Sequence, residues 1–168
     1  MNHKAIYPGT FDPITLGHIN IAEKAAALFD EVVIGIADYT GKNTLFTINE
    51  RTKLCTEALA HLPNVKVMQF SGLSVDFARQ ENCRVMIRGM RAVSDFEYEL
   101  SLALTNKKIA PDIETLFLVP SLRYMYLSST TIKQLAELGG DLTDFVPPCV
   151  LAALKHKYNN QGGTNAQT

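Results

Sequence analysis

The sequence predicts an α/β fold, a single-domain doubly wound sheet of five parallel strands. Three observations predict it. Short apolar segments recur along the chain, and amphipathic stretches of helical spacing separate them. The run Val32 to Ala37 is apolar throughout and rich in β-branched residues, as in a central parallel strand covered on both faces. Turn residues stand at the ends of the strand-like segments, Pro8-Gly9 after the first and Pro120 after the last.

Ala5-Ile6-Tyr7 forms the first strand. Ile21, Ala22, Ala25, Leu28 and Phe29 then recur at helical spacing. Val32–Ala37 is the second strand. Thr47-Ile48-Asn49-Glu50 matches a capping box opening the second helix, which Pro63-Asn64 ends. Val65–Phe70 alternates as a third strand, and a short helix covers Val75 to Glu81. Val85-Met86-Ile87 is the fourth strand and runs into Arg88-Gly89. Ser94-Asp95-Phe96-Glu97 matches another capping box, and the helix behind it aligns Phe96, Leu100, Ala103 and Leu104 on one face. Thr115–Val119 is the fifth strand. A helix after Ser129 stops at Gly139-Gly140, and Pro147-Pro148 introduces a last helix to about Tyr158. One domain, residues 1–158, is expected, followed by a polar, disordered tail, 159–168.

The 168 residues carry a formal net charge of −1, with 46% hydrophobic and 20% charged residues, near globular averages. No global basic field is present to draw nucleic acid or a membrane surface, so a polyanion must be met by a local cluster. Cys55, Cys83 and Cys149 have neither metal-ligand nor redox-motif spacing and are expected as small apolar residues in a reducing compartment. The chain shows no signal-peptide pattern and no apolar run of membrane-spanning length, so a cytoplasmic protein is expected.

In a doubly wound sheet, ligands bind beyond the carboxyl ends of the strands. After the first strand comes Pro8-Gly9-Thr10-Phe11-Asp12-Pro13-Ile14-Thr15-Leu16-Gly17-His18. It is a constrained turn that places His18 in the first turn of a helix, where amide N–H groups and the dipole favour anions. A capped turn with a satisfied surface histidine is the plain alternative, and the position after the strand favours the anion site. No G-x-G-x-x-G follows the strand and no G-x-x-x-x-G-K-[ST] occurs, which argues against an NAD-dependent dehydrogenase and a P-loop kinase. Lys42 follows the second strand and, by itself, reads as a solvated loop lysine. Arg88 and Arg91 follow the fourth and suit bidentate phosphate binding. Four consecutive hydroxyl residues, Ser128 to Thr131, open the helix after the fifth strand, more than one cap requires. His18, Lys42, Arg88, Arg91 and Ser129 thus gather at one sheet edge and suit a polyphosphate.

Gly9-Thr10-Phe11-Asp12-Pro13 with Thr15-x-Gly17-His18 resembles the first signature of the nucleotidyltransferase superfamily, usually written [HT]-x-G-H. Ser128-Ser129-Thr130 resembles its second. Ile87-Arg88-Gly89-Met90-Arg91 with Asp95-Phe96-Glu97-Tyr98-Glu99 is similar to the branch that adenylylates 4′-phosphopantetheine. The resemblance covers about residues 4–158 and implies a Rossmann-like nucleotidyltransferase fold. It implies reversible transfer of AMP from ATP to 4′-phosphopantetheine, giving dephospho-CoA and pyrophosphate, in coenzyme A biosynthesis. By the same resemblance His18, Lys42, Arg91 and Ser129 are the catalytic set. Thr10, Phe11, His18, Gly89, Met90, Arg91, Glu99 and the run Tyr124, Met125, Tyr126, Leu127, Ser128, Ser129, Thr130 hold ATP. Thr10, Lys42, Ser74 and Arg88 hold the acceptor. A homohexamer and feedback inhibition by CoA also follow from it.

The acceptor phosphate, with a second pKa of about 6, is already largely ionised at neutral pH and needs no general base. Mg²⁺ is expected to arrive mainly with ATP, since the sequence shows no carboxylate cage; Asp12 reads as a turn-stabilising residue. Two alternatives stay open: another small-molecule nucleotidyltransferase, for example one acting on nicotinate mononucleotide, and a non-catalytic nucleotide- or CoA-binding module.

Overall fold

The computed structural model describes residues 3–38, 41, 43–91 and 93–162, without the side chains of 93–95 and 160–162. Its centre is a sheet of five strands: β1 (Lys4–Gly9), β2 (Glu31–Ala37), β3 (Val65–Phe70), β4 (Val85–Gly89) and β5 (Glu114–Leu118). All pair in parallel in the order β3-β2-β1-β4-β5. Consecutive strands run outward from β1 to β3, and the chain then returns to place β4 on the other side of β1. This reversal makes the carboxyl ends of β1 and β4 the switch point of the sheet.

The two-residue period of the strands sends neighbouring side chains to opposite faces. Ala5, Tyr7, Val32, Ile34, Ile36 and Ile87 form one buried face. It is covered by α1 (Leu16–Leu28), α2 (Ile48–Ala58), α5 (Ser129–Glu137) and α6 (Pro148–Gly162). Ile6, Val33 and Met86 point the other way, onto Val75, Phe77 and Ala78 of α3 (Ser74–Gln80) and onto Ala110 and Ile113 beyond α4 (Val93–Ile109). Each such Val or Ile contributes about 1.5–3 kcal/mol on burial, so these two layers carry most of the stability.

Gly35 serves this packing. A Cβ there would lie 2.6 Å from the Phe77 ring and 3.1 Å from that of Phe70. The two rings stack over the bare backbone with centroids 4.6 Å apart. Cys55 and Cys83 are buried and Cys149 half-buried, all unpaired, and burial pushes the Cys83 thiol up to about 11.

Three local expectations need correction. Helix α4 already includes Val93, so Ser94 lies inside it and is not its cap. The Phe96–Leu100–Leu104 stripe of α4 shares one face as expected, and that face turns outward, at 46%, 37% and 63% exposure, while Glu99 and Asn106 turn inward. Helix α6 continues past the expected end at Tyr158 to Gly162. Helix α2 stops at Ala58, several residues short of the expected end at Pro63, and the remaining helix and strand ends fall within about two residues of expectation.

Candidate active site

The chain leaves β1 through a backbone turned back on itself. Phe11 has φ +48°, a left-handed conformation uncommon for a non-glycine residue. Its ring folds over Gly9, where a Cβ would stand only 2.8 Å from it. The ring then meets Tyr7 and His18 edge-on, at centroid distances of 5.3 and 5.1 Å. Tyr7 lies beneath the site, and burial raises its phenol well above the ordinary value.

Asp12, 3% exposed, accepts the amides of Leu45 and Phe46 at 2.9 Å each and the Lys133 ammonium at 2.7 Å. Arg51, 2% exposed, donates to the carbonyls of Thr10, Ala37 and Phe46 at 2.8, 2.9 and 3.2 Å. These two side chains tie the turn after β1 to both flanks of the segment between β2 and α2. Asp12 is the turn-stabilising residue expected, and its carboxylate is engaged by three donors.

Thr15 caps α1, and the reciprocal partner in its capping box is His18. The Thr15 amide donates to His18 Nδ1 at 3.1 Å, and the His18 amide donates to Thr15 Oγ1 at 3.4 Å. An Nδ1 that accepts from an amide holds no proton, so the neutral ring carries its hydrogen on Nε2. Burial first, then the charges of Arg91 and Arg88, lowers the imidazole pKa from 6.5 to about 4. His18 is therefore a neutral Nε2–H donor at physiological pH.

At the carboxyl end of β4, the Arg88 guanidinium forks onto Glu99 of α4, with Nε and Nη2 each 2.8 Å from a carboxylate oxygen, and its Nη1 donates to the Pro8 carbonyl at 3.3 Å. Burial opposes the Arg88 charge, the Glu99 fork outweighs it, and the net shift is upward. Arg91 donates to the Leu127 carbonyl. Beyond β5, Ser128 caps α5 by accepting the Thr131 amide at 3.0 Å, and Ser129 Oγ donates to the Pro13 carbonyl at 2.8 Å. The start of α5 is thereby fixed to the turn after β1.

These segments enclose a cavity of about 330 Å³ at the switch point, within the size range of small-molecule sites. Of the residues expected in the site, Thr10, Phe11, His18, Arg88, Gly89, Arg91, Glu99, Leu127, Ser128, Ser129 and Thr130 line it. Met90, Ser74, Tyr124, Met125 and Tyr126 are not in the lining, although the Tyr124 carbonyl backs Gly17. Lys42 lies outside the described residues. The sequence reading missed Lys133, Asn43 and Thr44, which also line the cavity. The one signal for Lys133 was its place four residues after Ser129, on the same face of α5. Among the described residues no group of three His, Cys, Asp or Glu side chains could hold a metal ion. No described helix is long and apolar enough to cross a membrane. Three cationic side chains, one neutral imidazole donor and two helix starts converge on the cavity, an arrangement that can grip a polyphosphate and stabilise charge on a phosphoryl group.

A cytidylyltransferase-like family model matches residues 6–135, so the class of protein defined by this fold and cavity is a nucleotidyltransferase. A protein described as a nicotinate-nucleotide adenylyltransferase from Vibrio parahaemolyticus shares the fold, with a TM-score of 0.69 at 18% identity over 92% of this chain and 99% of that one. The chain is 49% identical to the phosphopantetheine adenylyltransferase of Azoarcus sp. (strain BH72), over 94% of this chain and 96% of the relative. It is 52% identical to that of Methylacidiphilum infernorum (isolate V4), over 94% and 92%. The chain belongs to the phosphopantetheine adenylyltransferase family.

Proposed function

We propose that the cavity at the β1–β4 switch point transfers AMP reversibly from ATP to 4′-phosphopantetheine, giving dephospho-CoA and pyrophosphate. The observation that carries this reading is the neutral His18 ring, held by Thr15 with Nε2–H as its donor and flanked by Arg88 and Arg91. An oxygen of the acceptor phosphate forms the new bond to the α-phosphorus, and the bond from that phosphorus to the pyrophosphate oxygen breaks. The attacking phosphate is already ionised, so the site needs no base, and none of its described side chains is arranged as one.

The difficulty lies in bringing two anions together. Arg88, with Thr10, holds the acceptor phosphate. Arg91 and the start of α5 at Ser129 hold the ATP phosphates. His18 donates to an α-phosphoryl oxygen and stabilises the charge that builds there. Lys42 completes the catalytic set. Mg²⁺ travels with the ATP phosphates and water, and it neutralises part of their charge. Asp12, already engaged by two amides and a lysine, supplies no ligand for it.

The family's homohexamer and cytoplasmic setting, and feedback by CoA, are part of the same proposal. The outward Phe96–Leu100–Leu104 stripe supports association of copies, because an apolar row on a long helix is normally covered. The test is pyrophosphate release from MgATP with 4′-phosphopantetheine, with nicotinate mononucleotide as the control acceptor. Release with phosphopantetheine alone supports the reading. Release with the control alone, or with neither acceptor from folded protein that binds ATP, sinks it.

A further inference from the structure

We infer that the Tyr7 hydroxyl is a further ligand group of the cavity, donating a hydrogen bond to a phosphoryl oxygen of a bound substrate. The inference rests on the reading above that phosphates occupy this cavity. Tyr7 stands on β1, on the sheet face covered by α1, and is 5% exposed. Its ring is set edge-on against Phe11, with centroids 5.3 Å apart and planes at 88°. The side chain reaches the carboxyl end of the sheet. A Cβ on Gly89, the last residue of β4, would stand 3.5 Å from its Oη and 3.5 Å from Ile21 of α1.

Tyr7 lines the cavity, yet among the described residues none is hydrogen-bonded to its Oη, and that oxygen is not sealed within the core. A polar group on so buried a side chain is normally mated, so its partner comes from outside the chain. Burial holds the phenol protonated, against the pull of Arg88 and Arg91. It is therefore a donor at neutral pH. Neither arginine can accept from it, since a guanidinium carries donors alone. An anion drawn to the two arginines brings the acceptor that the phenol lacks, and phosphoryl oxygens are that chemistry. The acceptor phosphate and the ATP phosphates are two sources of the same group.

The experiment compares wild type with Tyr7→Phe, which removes one oxygen and leaves the ring against Phe11. Calorimetric Kd values are measured for 4′-phosphopantetheine, MgATP and adenosine, beside thermal unfolding of the ligand-free proteins. Tyr7→Phe should unfold at or slightly above the wild-type temperature, because the lost hydroxyl has no partner within the chain. Its Kd for a phosphate ligand should rise by about 10-fold, the usual size for a hydrogen bond to a charged group. A rise with phosphopantetheine alone assigns the acceptor phosphate as the partner. A rise with MgATP that adenosine does not share assigns the nucleotide phosphates.

Equal Kd values for the two proteins with every ligand would overturn the proposal. A rise of the same size with adenosine would overturn it too, and make the hydroxyl a contact of sugar or base. Pyrophosphate release by the wild type tests the underlying reading separately. Its absence sinks that reading whatever the affinities show, and its presence with equal Kd values sinks the Tyr7 proposal alone.

Discussion

Lys133 and Asp12 are 121 residues apart in sequence and 2.7 Å apart in space. The pair joins α5 to the turn after β1. Removing its two ends should have unequal cost. Lys133→Met leaves the carboxylate its two amide donors, and the lysine is a quarter exposed, so about 1–2 kcal/mol should be lost. Asp12→Ala orphans two amides and an ammonium, and should lose about 2–4 kcal/mol. Urea midpoints at pH 7 check the order; Lys133→Met as the more damaging change would contradict it.

His18→Ala should lower kcat by about 10²–10³, the usual loss for a donor aimed at developing charge. ATP affinity should change by less than about threefold, since the arginines and the start of α5 remain. Single-turnover rates beside equilibrium binding of ATP separate the two quantities.

The His18 pKa also sets a pH dependence of stability. The folded ring titrates at about 4 and the unfolded ring near 6.5. Between those values the unfolded chain binds a proton that the folded chain refuses, so stability falls as pH falls through that window. The loss assigned to His18 should be about 1–2 kcal/mol by pH 4.5, because part of the ring faces the open cavity. Carboxylates such as Glu31 and Glu50 add their own acid loss, so the comparison is wild type against His18→Gln. Parallel curves for the two proteins between pH 7 and 4.5 would mean that the ring is not held neutral.

Gly35→Ala should cost about 1–3 kcal/mol by pressing a methyl group into the Phe70–Phe77 stack. Phe77→Leu in the same chain should return part of that loss. Thermal unfolding of the single and double variants measures both.

The strands were legible because a covered strand is apolar in a way few other segments are, as Val32–Ala37 illustrates. Their order was not, since pairing between β1 and β4 joins segments about eighty residues apart and leaves no local trace. In α4 the period of Phe96, Leu100 and Leu104 was visible, but periodicity reports that a stripe exists and not what covers it. The cluster of His18, Arg88, Arg91 and Ser129 was legible because each follows a strand. Lys133 and Arg51 were not, for a charged residue inside a helix looks like any solvated one until its partners are known. The sequence also posed the role of His18 as a choice between capped turn and anion site. The structure joins the two, because the ring is itself half of the cap.

Two helices here open with the same reciprocal box but carry different charge in it. In α2 the returning side chain is Glu50, a carboxylate that answers the helix's own positive end. In α1 that place belongs to a neutral imidazole, and no acidic residue stands in the first turn. The backbone is stopped equally well in both, yet one helix is electrically self-contained and the other is left wanting an anion. An exchange of His18 for Glu would keep the stop and fill the want from within, leaving a folded chain with no appetite for a nucleotide.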